Sequence, residues 1–481
     1  MPRVQSGCTR TTPAAHGIES IVTTIPTTPS SQDTDRPGPG LRRHVGLIVL
    51  GSLAFGLVAA LLLAAAPFIR PGEGEVTGAV LLGFGLGWAV LAVLTIRFTD
   101  QPQRWAAVPA VVLGLGGLLL VVFGSPLQEV LNWVWPPVVL VTAIWMAIRV
   151  HAQLRSRSGR WLLYPVIALL AVASIGGGYE TVMEAVDTRA HPMAGQLVDV
   201  GGHRLHLSCT GTGSPTVILE PGGGEISAVL GWIEPAVAAD TLVCVYDRAG
   251  RGWSEPADAP QDATQIATDL HTLLQRGGAD GPYVLAGHSF GGLYAQTFAA
   301  LYPDEVAGMV LIDSTAPSST TEPSAASAAA GDSYDPMGRV SALVSASARL
   351  GVGRLYGQFD YDTLPPDSQA QARASVAKGG QLGSTVEEYL LANSSMEQAG
   401  TLVSFADKPL VVLEAGSGSA SDWPAKQAAM ASLSTNSSHR VVDGATHASL
   451  VSDEADAAAT TQAILDVVTA VRTTAPLPGA G

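Results

Sequence analysis

The chain has 481 residues, about three times the length of a common single domain, with 47% hydrophobic residues, 14% charged residues and a net charge of −15. So apolar a composition excludes a wholly disordered chain, and the acidic balance argues against a nucleic-acid partner, which would need a basic surface. Three Cys exclude a disulfide scaffold or a multi-thiolate metal protein.

The charge is unevenly spread. Up to Tyr179 there are 12 Arg against 7 acidic residues; from Glu180 onward there are 14 basic residues against 34 acidic ones. The two halves therefore face different surroundings. Residues 1–43 are rich in Thr, Ser, Pro and Gly without apolar periodicity and are expected to form a disordered cytoplasmic tail. A secretory signal peptide is not expected, because the first apolar run is longer than an h-region and is followed by others like it.

Residues 44–179 are expected to form a five-span helical membrane domain. Val45–Ile69, Val76–Ile96, Trp105–Phe123, Val130–Ile148 and Trp161–Tyr179 carry no charge and have 19 to 25 residues each. That is enough to cross ~30 Å of hydrocarbon at 1.5 Å per residue. Arg36, Arg42 and Arg43 precede the first span, Arg97 and Arg104 follow the second, and Arg149, Arg155, Arg157 and Arg160 follow the fourth. All fall on one side of five crossings, which predicts a cytoplasmic amino terminus in the cell membrane and everything after Tyr179 outside. No ionisable residue lies within a span, so the segment reads as an anchor; a transport or lipid-binding module is the alternative.

After a linker over residues 180–195, short β-rich runs alternate with helical ones through about residue 475. Gln196–Val200 and Arg204–Ser208 flank Gly201-Gly202 as a hairpin. Thr216–Glu220 is a buried strand ending in Pro221-Gly222-Gly223-Gly224. Thr241–Tyr246 ends in Asp247-Arg-Ala-Gly-Arg-Gly-Trp-Ser254. Ala263–Arg276 has helical spacing, Tyr283–Ala286 is a strand, and Leu293–Leu301 a helix. Val306–Ile312, Leu410–Leu413 and Arg440–Val442 are further strands, and Glu454–Val471 a last helix. This alternation predicts a largely parallel sheet covered on both faces. One insertion, about residues 314–407, begins as a Ser/Ala-rich run and continues as helical pieces. Placed between two strands, it would lie over the carboxyl edge of the sheet as a lid, or be a passive loop.

Gly287-His288-Ser289-Phe290-Gly291 is a G-x-S-x-G in the strand–turn–helix setting that motif needs. A serine there stands exposed on a strained turn, with a helix amino terminus behind it to favour developing negative charge. It needs a base, and His447, after the last strand and before the last helix, is the candidate. The orienting acid is expected to be Asp313, at the end of Val306–Ile312, with Asp422, in the loop after the next strand, as the alternative and Glu414 third. An oxyanion site needs two backbone donors; the N–H groups of Phe290 and Gly223 are the candidates.

This constellation resembles the α/β-hydrolase fold superfamily over about Leu197 to Val471. The resemblance rests on Glu220-Pro-Gly-Gly-Gly224, on the Asp247–Ser254 turn, on Gly287–Gly291 and on Gly444-Ala-Thr-His447. It implies an eight-stranded, mostly parallel sheet with an antiparallel second strand, and an ester, thioester or amide substrate. Asp247 and Ser254 would tie the turn that borders the pocket. Pro221 departs from the His that many members place before the oxyanion glycine. In the implied strand order Cys209 and Cys244 are on neighbouring strands, a candidate disulfide outside the cytoplasm or else two thiols.

The function expected is that of a membrane-anchored serine hydrolase (carboxylesterase- or lipase-like, or a peptidase) without metal or organic cofactor. Its expected partners are a small-molecule or lipid-like acyl substrate and membrane lipids, and no nucleic acid. Two other readings stand beside it: a non-catalytic binding or scaffold protein on the same fold, and a transport or lipid-handling protein with an accessory hydrolase domain.

Overall fold

The uncharged run after residue 44 forms α1 (Val45–Ala64), followed by α2 (Glu73–Phe98), α3 (Ala107–Phe123), α4 (Ser125–Gln153) and α5 (Arg157–Ala190). These belong to a computed structural model that describes residues 45–257, 259–318, 336–357 and 361–479. The expected amino-terminal tail and most of the Ser/Ala-rich run lie outside the described residues.

The five helices are long and apolar enough to cross a membrane. Their outer faces expose large apolar side chains, among them Leu47, Leu62, Val111, Val141 and Leu169, which water would penalise and lipid would not. Inside the bundle, Gly56 and Gly87 face each other so closely that a Cβ on either would meet the other's backbone. Small residues permit such approach between α1 and α2. Pro136 and Pro137 lie within α4. Pro136 has no N–H to give the carbonyl of Asn132 four residues earlier; Thr181 Oγ1 of α5 donates to that carbonyl instead (3.2 Å), and Ser174 Oγ donates to Pro136 O. The Thr181 hydroxyl thus replaces a donor that Pro136 removes from the helix.

One boundary differs from expectation. The segment 180–190, expected as linker, continues α5 without a break. Thr181-Val-Met-Glu-Ala-Val-Asp-Thr-Arg-Ala190 holds neither Gly nor Pro, so leaving the apolar stretch changes its solvent and not its conformation.

The second half is an eight-stranded sheet of β1 (Gln196–Asp199), β2 (Arg204–Thr210), β3 (Thr216–Glu220), β4 (Val243–Asp247), β5 (Tyr283–His288), β6 (Val306–Ile312), β7 (Leu410–Ala415) and β8 (Ser437–Val442), in the order β1-β2-β4-β3-β5-β6-β7-β8. β2 alone runs against its neighbours. β5 is central and fully buried. Its side chains alternate between two cores, Leu285 facing Tyr246, Leu270 and Phe298, and Val284 facing Ile464, Val467 and Ile233. The first core is closed by α7 (Ala263–Gly277) and α8 (Phe290–Leu301), the second by the short α6 (Ile233–Ala238) and, in the last part of the chain, α16 (Glu454–Thr473). α7 carries its own punctuation: Asp262 accepts from Gln265 N at its start, and left-handed Gly278 ends it. Cys209 and Cys244 are directly opposite on β2 and β4 and joined by a disulfide.

Between β6 and β7 the insertion contributes α9 (Pro336–Ala348), α10 (Val352–Gly357), α11 (Pro366–Val376), α12 (Gly379–Leu390) and α13 (Ala392–Ala399); α14 (Trp423–Ala431) and α15 (Ser449–Ser452) follow β7 and β8. The insertion touches the membrane helices through three arginines. Arg339 donates to the carbonyls of Ala64 and Ile69 (2.6 and 2.5 Å). Arg349 pairs with Glu73 at the start of α2. Arg354 pairs with Glu180 and Asp187 of α5 (2.9 Å each).

Candidate active site

β5 ends at His288, and Ser289 follows as the cap of α8 with φ 53° and ψ −119°. A non-glycine residue holds that conformation only when its surroundings impose it. Here they do: Ser289 N donates to Ile312 O of β6 (3.1 Å), while Ser289 O accepts from Gly292 N and Thr315 N (3.1 Å each). The flanking glycines are steric requirements. A Cβ on Gly287 would collide with the Gly291 carbonyl, and one on Gly291 with the Glu220 carbonyl.

Two further candidates meet at the same edge. Asp313 follows β6, and its Oδ2 accepts from His447 Nδ1 at 2.6 Å. Its Oδ1 accepts from Ala415 N (3.1 Å) and Trp423 Nε1 (2.7 Å). Burial alone would raise this carboxyl; the hydrogen bonds from His447, Trp423 and Ala415 outweigh it and hold Asp313 below the usual carboxylate range. With Nδ1 committed to Asp313, His447 has Nε2 left for a serine proton. Among the described residues Ser289 Oγ makes no hydrogen bond.

The other two carboxylates lie elsewhere. Asp422 is exposed and pairs with Lys426 one helical turn on (2.7 Å). Glu414 pairs with His439 across β7 and β8 (2.8 Å). His288, next to Ser289 in the chain, contacts the backbone of His447. Its buried Nε2 contacts His447 O (2.9 Å), and its Nδ1 lies 3.4 Å from Glu225. Burial would lower the imidazole, yet Glu225 and the His447 carbonyl raise it.

The glycine run after β3 is arranged so that one donor is left over. Gly222 N donates to Glu225 Oε2 (2.6 Å) and Gly224 N to Glu388 Oε2 (2.7 Å). Gly223 N, between them, has no acceptor among the described residues and stands beside the Phe290 ring. Left-handed Gly224 (φ 77°) makes the turn possible.

The residues that hold this loop escape a linear reading. Arg248 donates to Pro221 O (2.9 Å) and Gly222 O (2.5 Å) and lies 3.1 Å from Glu388 of α12. Arg251 and Tyr294 also bond Glu388 (2.5 and 2.7 Å). Burial would raise Glu388, but Arg248 and Arg251 keep it below the usual carboxylate range. Glu220, accepting from Tyr246, is instead pushed up to about 7 by burial. The only sequence signal was a pair of arginines inside the Asp247–Ser254 turn; buried, they require a carboxylate. Asp247 ties that turn by accepting from Ser227 N (2.9 Å) and Trp253 N (3.1 Å), and Ser254 Oγ donates to Asp247 O (2.5 Å). A cavity of about 630 Å³ opens beside these groups, between Gly223, Ala448 and the lid residues Val376, Leu382 and Tyr389.

Residues 215–454 match the family model of the alpha/beta hydrolase fold. The chain belongs to the α/β-hydrolase fold family through that segment, and a helical region with five apolar helices precedes it. An uncharacterized protein of Schizosaccharomyces pombe is 26% identical over 309 residues, 57% of this chain and 56% of that protein. A probable transporter, EfuK, of Hormonema carpetanum is 31% identical over 125 residues, 24% of this chain and 18% of that protein. The chain thus spans about half or less of the length of these curated relatives. Among solved structures, an epoxide hydrolase, CorEH, aligns with a TM-score of 0.44 and 20% identity, covering 56% of this chain and 96% of that one.

Proposed function

We propose that the protein is a membrane-anchored serine hydrolase that cleaves an ester, thioester or amide bond through an acyl-enzyme. The observation that carries this reading is the convergence on one sheet edge of Ser289, on its strained turn, with the His447–Asp313 pair at 2.6 Å.

In the first half-reaction Ser289 Oγ bonds to the carbonyl carbon while His447 Nε2 takes the hydroxyl proton. The oxyanion rests on the N–H groups of Phe290 and Gly223. Collapse breaks the bond to the leaving group, which departs with the proton from His447. Water then gives His447 a proton and attacks the acyl carbon, and Ser289 leaves with that proton restored. One water is consumed; an acid and an alcohol, thiol or amine are released. Asp313 keeps His447 in the tautomer that both halves require.

The arginine distribution supports a cell-membrane location with the catalytic half outside. The Cys209–Cys244 disulfide fits an oxidising compartment. So does the meeting of the lid with Ala64, Glu73 and Glu180, which lie at the ends of α1, α2 and α5 remote from the Arg-rich loops.

The test is labelling of the full chain in membranes with a fluorophosphonate probe. Labelling lost in Ser289→Ala establishes an activated serine. A folded chain whose serine ignores the probe returns the non-catalytic binding reading.

A further inference from the structure

A second cavity, of about 230 Å³, lies between the membrane helices and the underside of the lid. Its deep walls are apolar: Leu113 of α3, Val139 of α4, Leu170 and Ala173 of α5. Its outer end is polar, with Asn132, Glu180 and Glu184 from the helices and Arg349 and Lys378 from the lid. Polarity therefore runs along this cavity in the direction in which it runs along a bilayer leaflet, tail side inward and head side outward.

The two cavities share one wall. Leu350 lines the membrane cavity while Val352 and Gly353 line the catalytic one; Ala377 lines the first and Val376 the second; Gly379 faces the first, Gln381 and Leu382 the second. The segments 346–353 and 376–382 thus separate a chamber in the bilayer from a chamber beside Gly223 and Ala448. Arg349 and Arg354, in or next to that wall, are the residues paired with Glu73, Glu180 and Asp187 of the membrane helices.

Resting on the serine-hydrolase reading, we propose that the membrane cavity receives the acyl chain of a bilayer ester lipid with an uncharged or zwitterionic head, and that this lipid is the substrate, passed to Ser289 across the lid wall. A water-soluble substrate has no use for a chamber whose inner end is at the depth of Val139 and Leu170. The head chemistry follows from the charges at the outer end. Of the charged groups there, Arg349 is paired with Glu73 and Glu180 with Arg354, which leaves Glu184 and Lys378, one of each sign. A head without net charge matches such a balanced lining, whereas a singly charged one would face a like charge.

The test uses the full-length Ser289→Ala chain, so that the lipid persists, in phosphatidylcholine vesicles doped with a phosphatidylcholine bearing a diazirine at one chain end. After irradiation, adducts are mapped by mass spectrometry. The proposal expects adducts on Leu113, Val139 and Leu170 as well as on the outward-facing Val111, Val141 and Leu169. Ala173→Trp, or Ala346→Phe from the lid side, should lower the cavity adducts by at least about fivefold, the change that ~1 kcal/mol makes in occupancy, and leave the outward ones unchanged. The outward adducts report that each variant is inserted and folded. Adducts confined to the outward residues, or cavity adducts indifferent to both fillers, would overturn the proposal. A wild-type serine silent to fluorophosphonate would instead sink the catalytic reading, and it would do so without altering the adduct map.

Discussion

Glu388 of lid helix α12 accepts the backbone N–H of Gly224 at 2.7 Å. The lid and the loop that carries Gly223 are therefore one hydrogen-bonded unit, cross-linked again by Arg248, which holds Pro221 O and Gly222 O on one side and Glu388 on the other. Displacing α12 from the sheet edge would cost the loop the anchor beside its free donor. Glu388 does not touch the reacting atoms; it is a positioning residue.

Glu388→Ala should lower kcat by about 10²-fold, the scale of losing one oxyanion donor, with a much smaller change in KM. Glu388→Gln, which keeps an acceptor for Gly224, should recover part of kcat. Equal losses in both variants, or a loss confined to KM, would show that the carboxylate serves only to neutralise Arg248 and Arg251.

Among the candidate acids, Asp313→Asn should reduce kcat by about 10⁴-fold by spoiling the tautomer of His447. Asp422→Asn, which removes only an exposed pair with Lys426, should stay within about twofold. Ser289→Ala should be as damaging as the double change with His447→Ala, because the two act as one unit. Additive losses in steady-state hydrolysis of a soluble ester would contradict this.

Glu220 has its folded-state pKa raised to about 7. The folded protein then holds a proton that the unfolded chain releases near pH 4.5, so stability is fullest below that value and falls as pH rises toward 7. Glu220→Gln removes this dependence. Between pH 5 and pH 8 the melting temperature of the variant should gain on that of the wild type, by an amount corresponding to a few kcal/mol at most. A constant difference across that range would refute the assignment.

The disulfide between Cys209 and Cys244 closes a loop with a sequence separation of 35. Its loss should cost about 2–4 kcal/mol. Dithiothreitol should lower the melting temperature of the wild type and leave that of Cys209→Ala/Cys244→Ala unmoved.

Much of the architecture was legible in the chain because it rests on local signals. Uncharged runs of sufficient length become helices, and β-branched runs ending in glycine-rich turns become parallel strands with those turns at one edge. The competition between Asp313 and Asp422 was not legible. Both follow a strand, and only the neighbouring of β6 and β7 puts the first beside His447 while the second begins α14 in solvent. The Arg248–Glu388–Gly224 network was hidden for a different reason. Its members are separated by up to 164 residues, and a buried arginine gives no hint of which carboxylate it will find. The extension of α5 is hidden because the apolar run ends at Tyr179 while the helix goes on to Ala190: polarity changes along it, but no Gly or Pro interrupts it.

That extension sets a height. α5 runs 34 residues from Arg157 to Ala190, ~51 Å at 1.5 Å per residue, and only residues 191–195 intervene before β1. The second half is consequently no loosely tethered globule: one continuous helix leads into it, and Arg339, Arg349 and Arg354 join its insertion to α1, α2 and α5. On the lipid reading proposed above, bilayer thickness becomes a variable of the reaction, and turnover would depend on chain length in the host membrane without any change in the protein.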